Sequence, residues 1–330
     1  MSHITLIRLK ECCRSQLWKV LGVLLLLVSS CTQVEVPGIS EESGEDAIVL
    51  LKVDAGKAVT RAGGEYADEP FKSGVVLVFN ENQVCELVQD FTTSSTAVTF
   101  KVREGTKNFY VVGNASAALV VALKKIHWEQ DLLEKLSDAA DYNATNGSKP
   151  TQGLLLSGVE NAKVSSSQSS NEVTVNLKVA LAGVDFRIAK GGANVGNITV
   201  KSLQVRNARS VGYLYKDGVS GTTPKTFNPK MTTTNVTATG AEGTSVSTFY
   251  TYPLILSDST DFYFTLTVRH AGAQADDVYT IYPNADNVAT GGVDFQRGYF
   301  YKVIVTFSRD ETGNLKVSAY TENPNDFVFG

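Results

Sequence analysis

The sequence predicts a mostly β chain built as two β-sandwich domains in tandem, with one short helical crossover in the first. Three observations carry that reading. Short segments rich in Val, Ile, Phe, Tyr and Thr recur between clusters of Gly, Asn, Asp and Ser, which is the pattern of strands and turns rather than of strands alternating with helices. Only one stretch, beginning near Asn114, repeats apolar residues at three-to-four spacing. At 330 residues, 43% hydrophobic and 19% charged, the chain is long enough for two domains and apolar enough to bury a sizeable core.

The front end carries targeting information. Residues 1–19 place cations ahead of the apolar run Val20–Val28, and Ser29 and Ser30 follow. This is a signal-peptide layout whose apolar core is too short to span a bilayer. Ser29-Ser30-Cys31 resembles the lipobox of bacterial lipoproteins, which implies that the Cys31 thiol receives diacylglycerol before residues 1–30 are cleaved off. Acylation at Cys31 would hold the precursor at the outer membrane, since each buried CH₂ contributes about 0.8 kcal/mol and more than one chain makes the anchoring stable. Residues 31–47 then read as a lipidated flexible tether, with Pro37, small residues and the acids Glu35, Glu41, Glu42, Glu45 and Asp46.

Beyond the tether, Ile48–Val53 is an apolar strand, followed by the small-residue stretch Val59-Thr60-Arg61-Ala62-Gly63-Gly64. Arg61 is the first arginine after Cys31 and lies where a protease can reach the Arg61–Ala62 bond. Gly74–Phe79 and Val84–Val88 flank Asn80–Gln83 as a hairpin. Thr96–Val102 alternates, with Val98, Phe100 and Val102 on one face, and Lys107–Val112 follows a turn at Gly105. The helical stretch carries Leu119, Val120, Leu123, Leu132, Leu133 and Leu136 as an apolar stripe expected to pack on a sheet. His127 has no second ligand at metal spacing and reads as structural. Leu154–Leu156 is a short strand. Glu172–Leu181 alternates and runs into Val184–Ala189, the expected passage between domains 48–181 and 182–330. Strands follow at Ile198–Val205, Val211–Tyr215, Phe249–Tyr252, Phe262–Arg269, Val278–Tyr282, Tyr299–Phe307 and Leu315–Tyr320. Gly218–Gly243 is rich in Thr, Asn and Gly and is expected to be a long surface loop. Asn323-Pro324-Asn325 turns the last strand into Phe327–Phe329, so residues 315–330 form a terminal hairpin.

Charge and motif content narrow the function. The net charge is −4, and removal of residues 1–30, with four cations against one acid, leaves −7. That balance offers no basic surface for nucleic acid. There is no G-x-S-x-G, H-E-x-x-H, Walker A or C-x-x-C motif, and the two histidines after residue 30, His127 and His270, are joined by no motif. Asp276-Asp277 reads as a solvated loop pair, and no cofactor is implied. Of the four cysteines, Cys12 and Cys13 lie in the signal segment and Cys31 is the acyl acceptor. Cys85 is left as a small buried hydrophobe with no disulfide partner, so packed sheets must supply the stability. An enzyme is not expected.

Several segments in order resemble the fimbrillin family, the lipoprotein-derived subunits of type V pili. They are the lipobox ending at Cys31, the apolar strand before Thr60-Arg61-Ala62-Gly63, and Val76-Leu77-Val78-Phe79-Asn80. Phe109-Tyr110-Val111-Val112-Gly113-Asn114 precedes the helix, and Leu181-Ala182-Gly183-Val184-Asp185-Phe186-Arg187 opens the second half. Phe295-Gln296-Arg297-Gly298-Tyr299-Phe300-Tyr301-Lys302-Val303-Ile304 stands near the end. The resemblance implies transthyretin-like sandwiches and a structural role in a cell-surface fimbrium. It also implies a route. An Arg-specific surface protease cuts between Arg61 and Ala62, segment 48–61 leaves with the first strand, and the 315–330 hairpin of another copy or a related subunit takes its place. Stalk, tip and anchor subunits share such a fold. A surface adhesin that never polymerises, binding a glycan or protein of a host or bacterial surface, is the alternative.

Overall fold

A strand's pleat sends successive side chains to opposite faces, so a run that is apolar at every second position buries one face. The computed structural model describes residues 44–54, 70–92, 97–137, 146–209, 211–216, 225–254, 262–283 and 295–321. Its first strand, β1 (Asp46–Asp54), buries Ala47, Val49, Leu51 and Val53 and turns Ile48 outward. The hairpin β2 (Ser73–Phe79) and β3 (Cys85–Thr92) follows, then β4 (Ala97–Arg103) and β5 (Gly105–Gly113). Gly105, at φ 122°, opens β5 where the chain passes from the sheet of β4 to another sheet, in a conformation that a side chain would strain.

The single helical stretch expected from the sequence is two short helices, α1 (Ala117–Leu123) and α2 (Glu129–Leu133). Ser116 starts α1, its hydroxyl accepting from the Leu119 amide. The chain breaks between them because the His127 carbonyl accepts from the Cys85 amide, which draws residues 124–128 alongside β3. The strands β6 (Leu136–Ser137), β7 (Leu156–Val164), β8 (Asn171–Asn176) and β9 (Lys178–Val179) complete this half.

Two sheets form from these strands. β1 lies in the middle of one, between antiparallel β4 and parallel β8. The other has the order β3-β2-β5-β7-β9. β2 is buried on both faces. Val76 and Val78 join Val49, Phe109 and Val175 in the main core, while Val75, Leu77 and Phe79 meet Leu119, Leu123 and Leu132 in a second core under the helices. The run Glu172–Leu181, expected to be one strand, is split. β8 pairs with β1, the Leu177 amide donates to Asp54 O, and β9 pairs with β7 in the other sheet. Where the two sheets meet, a Cβ on Gly158 would stand 2.2 Å from Asn176 O, so only glycine fits there.

The second half holds β10 (Ala182–Lys190), β11 (Ile198–Ala208), β12 (Gly212–Tyr213), β13 (Lys225–Phe227), β14 (Asn235–Val236), β15 (Thr244–Thr251), β16 (Tyr263–His270), β17 (Asp277–Ile281), β18 (Phe300–Arg309) and β19 (Leu315–Thr321). One sheet has the order β15-β10-β18-β19 and the other β13-β11-β16-β17, with β14 also on β11. The loop expected over Gly218–Gly243 therefore contains two short strands, β13 and β14, whose few residues carry too little alternation to be read. Val184–Ala189 is not a passage but the body of a central strand, β10. The crossing comes just before it, where the Ala180 amide bonds to Leu155 O and the Gly183 amide to Tyr299 O. Strands on either side of residue 181 build separate sheets, joined by the short pairing of β6 with β12. Phe186, Phe249 and Phe264 pack edge to face in the same continuous core that contains Val49. The fold is mostly β, and all the described residues belong to one compact unit, Ser40–Gly330.

Candidate functional site

The seat of β1 is the feature with the clearest functional geometry. Val49 pairs with Phe100 on one side and Asn171 on the other, and Leu51 with Val98 and Val173. Leu51, Val49 and Ala47 are fully buried, and Phe100, Val102, Val173 and Val175 close around them. Burying a branched side chain contributes about 1.5–3 kcal/mol, so Val49, Leu51 and Val53 hold the strand by several kcal/mol. Ile48 and Leu50, apolar as well, face the other way, with Ile48 39% exposed.

Main-chain bonds fasten both ends. The Glu104 amide donates to Glu45 O at 3.0 Å, and the Leu177 amide to Asp54 O at 2.8 Å. The buried Asn171 carboxamide adds a lateral tie, donating to Ile48 O and Ser165 O at 3.0 Å each while accepting from the Ser165 amide. On the outer face Lys52 pairs with Glu172 and Lys101 with Asp46, both exposed, and such surface pairs contribute little. Taking β1 away would leave the facing edges of β4 and β8 unpaired over an apolar slot one strand wide.

The last described strand, β19, sits at a sheet edge with β18 as its one ladder partner. Leu315, Val317 and Ala319 face the core and Lys316 and Ser318 the solvent, as the alternation predicts. This inward spacing is the same as that of Val49, Leu51 and Val53 in β1. Cys31, Arg61 and Ala62 lie outside the described residues, as do Asn323–Asn325 and Phe327–Phe329.

Other residues singled out in the sequence have ordinary places. Cys85 is fully buried, its thiol donating to Leu87 O, and burial pushes its pKa up to about 12. Asp276 accepts from Arg269 at 2.7 Å and Asp277 lies 3.7 Å from His270, so each acid faces a basic side chain. Burial holds His270 below the usual histidine range. The side chain of His127 is exposed, and it is its carbonyl that is structural. Among the described residues, no group of three or more His, Cys, Asp or Glu could hold a metal ion.

Arg297 was missed by sequence reasoning as a site, although it lies within the Phe295–Ile304 segment. Its guanidinium donates to Leu214 O at 2.8 Å, Ser157 Oγ at 2.7 Å and Ser157 O at 3.3 Å. Leu214, fully buried, enters the second core beside the helices, and Tyr215 donates to Val111 O with its ring 4.9 Å from that of Tyr110. The segment after β12 is thus inserted into the first half and fastened there by an arginine from near β18.

Solved structures similar to this chain include bacterial cell-adhesion and fimbrial proteins. A putative cell adhesion protein from Bacteroides eggerthii is similar at 17% identity and TM-score 0.56, covering 86% of this chain and 97% of its own. The tip fimbrial protein Mfa3 from Porphyromonas gingivalis, with a C-terminal truncation, is similar at 15% identity and TM-score 0.57, covering 84% and 99%. A fimbrilin (fimA) from the same species is similar at 13% identity and TM-score 0.52, covering 83% and 96%. No curated protein matches the sequence. The family described as Fimbrillin-A associated anchor proteins Mfa1 and Mfa2 matches residues 45–323, and the chain belongs to that family.

Proposed function

We propose that the chain is a structural subunit of a cell-surface fimbrium that assembles by strand exchange. The observation that carries this reading is the central place of β1, which fills a slot between two strands and is covalently joined to the rest of the described chain through residues 55–69 alone. Arg61 and Ala62 lie in that connection. In the proposed sequence of events Cys31 is acylated and holds the precursor at the outer membrane. An Arg-specific protease cuts between Arg61 and Ala62, β1 departs, and the 315–330 segment of a neighbouring copy or related subunit enters the slot. Main-chain pairing with β4 and β8 supplies affinity, and the alternate apolar side chains supply register.

The N-terminus of protein taken from the cell surface tests the route. A chain starting at Ala62 is expected. Arg61→Ala precursor should remain monomeric under a trypsin treatment that converts the wild type into ladders. An Arg61→Ala variant that polymerises equally well overturns the gating role. A surface chain that starts at acylated Cys31 instead indicates an anchor, the role named in the family description, or a lipoprotein that does not polymerise.

A second expectation concerns the donor. Terminal segments leave their domain more readily than internal ones. A chain cleaved after Arg61 and lacking Leu315–Gly330 should accept a neighbour's strand but not donate one, so that it shortens polymers of the full-length protein when mixed with them. Circular dichroism would check that the truncated chain is folded. Long polymers formed by that folded chain alone would place the donor elsewhere.

A further inference from the structure

The two ends of the β1 slot are built differently. At the Glu45 end, β4 continues through Glu104 into β5, and β7 continues through residues 165–170 into β8. β5 and β7 are hydrogen-bonded neighbours in the other sheet, with Gly105 opposite Val164 and Thr106 opposite Lys163. Both walls of the slot therefore emerge from one ladder that does not include β1. A side-chain brace adds to it, since the Glu104 carboxylate accepts from Ser166 Oγ at 2.7 Å and from the Ser166 amide at 3.3 Å. The Asp54 end has no such origin in common. There β4 follows β3 and β8 runs on to β9, and β3 and β9 are the opposite edges of the five-stranded sheet. At that end β1 itself bridges the walls, with Lys52 opposite both Ala97 and Thr174.

The Glu45 end also carries donors that are already in place. The Glu104 amide donates to Glu45 O, and one N–H of the Asn171 carboxamide donates to Ile48 O, each at 3.0 Å. That carboxamide is held from behind. Its oxygen accepts from the Ser165 amide at 2.9 Å and its other N–H donates to Ser165 O at 3.0 Å, bonds that do not involve β1. Loss of β1 would thus leave Asn171 with an aimed N–H and its acceptor gone, and a buried donor without a partner is costly. Both donors meet main-chain carbonyls, which every segment possesses, so they select an extended backbone and not a sequence. At the far end the Leu177 amide meets Asp54 O at 2.8 Å, but Leu177 continues one wall alone.

The inference rests on the strand-exchange reading and adds to it the place where exchange begins. We propose that the Glu104–Asn171 end is the mouth of the emptied slot, where an incoming strand is captured first before pairing zips toward the Asp54 end. A site whose walls and donors are already set costs less to dock against than one that must first be ordered. Asn171 is then a positioning residue, holding a carbonyl of the new strand while its inward side chains find their seats.

The test uses the full chain from Thr32 onward, cut after Arg61, with a synthetic peptide of residues 44–56. Sulfur accepts hydrogen bonds less well than oxygen, so two thioamide peptides are made, one replacing Ile48 O and one replacing Asp54 O. Each competes at equal concentration with the unmodified peptide, and the captured peptides are measured by mass soon after mixing and again at equilibrium. The early ratio compares rates of capture and the late ratio compares affinities. The Ile48 thioamide should be disfavoured about fivefold at both times, the scale of one weakened hydrogen bond. The Asp54 thioamide should be captured as readily as the unmodified peptide at first and fall behind only at equilibrium. Asn171→Ala should erase the early discrimination against the Ile48 thioamide, which a merely structural asparagine would leave in place. Early discrimination against the Asp54 thioamide instead, or against neither, overturns the order of capture and leaves strand exchange standing. A cut chain that captures no peptide at all overturns the exchange reading and this inference with it.

Discussion

Leu51→Ala is expected to lower the unfolding free energy by about 2–5 kcal/mol, the cost of a cavity left by a fully buried leucine. Ile48→Ala, three residues away on the same strand, should cost only about 1 kcal/mol, because its side chain is already partly in water and loses mainly strand preference. Denaturant melts of the two variants make the comparison. The contrast matters more than either value, since it separates a strand seated by its inner face from one held by general stickiness. Equal costs would show that β1 does not occupy the slot in solution. Under the proposed assembly, Leu51→Ala should also release its strand sooner once the Arg61–Ala62 bond is cut, which gel ladders would register as faster growth.

Arg297→Ala is expected to cost on the order of 3 kcal/mol, because it removes charge-assisted bonds to Leu214 O and Ser157 from within a packed region and leaves the Ser157 hydroxyl as the remaining donor to Leu214 O. Arg297→Lys should restore the loss only in part, since a compact ammonium lacks the planar fork that serves Leu214 O, Ser157 Oγ and Ser157 O together. Calorimetry supplies a readout that a simple loss of stability would not move. With Leu214 and Tyr215 no longer fastened into the helical core, the two halves should unfold in separable transitions instead of together. A single sharp transition at a merely lower temperature would show that the continuous apolar core alone couples them.

Much of this architecture is legible because alternation is a local signal. Val98, Phe100 and Val102, and again Leu315, Val317 and Ala319, announce their inward faces without knowledge of any neighbour. The reading runs out where two sheets share one run of sequence. Glu172–Leu181 keeps an alternating pattern across Leu177 even though its first part pairs with β1 and its last with β7, so nothing local marks the change. β7 extends well past Leu154–Leu156 through Glu160, Asn161 and Lys163, polar residues that are strand because β5 lies alongside and not because of their own preference. At the β1 seat the apolar strand could be read, but its central place between β4 and β8 depends on residues more than 40 and 110 positions away. Arg297 and Ser157 meet across 140 positions.

The two neighbours of β1 run in opposite senses, β8 alongside it and β4 against it. A segment that restores both ladders must thread the slot in the same direction as β1. The patch that gives and the patch that receives are then different surfaces, so a contact of this kind is head-to-tail and has no twofold axis to close it. Any filament built on it has polarity. One end presents an empty slot and the other an unused terminal strand, and growth, capping and attachment at the two ends become chemically separate events.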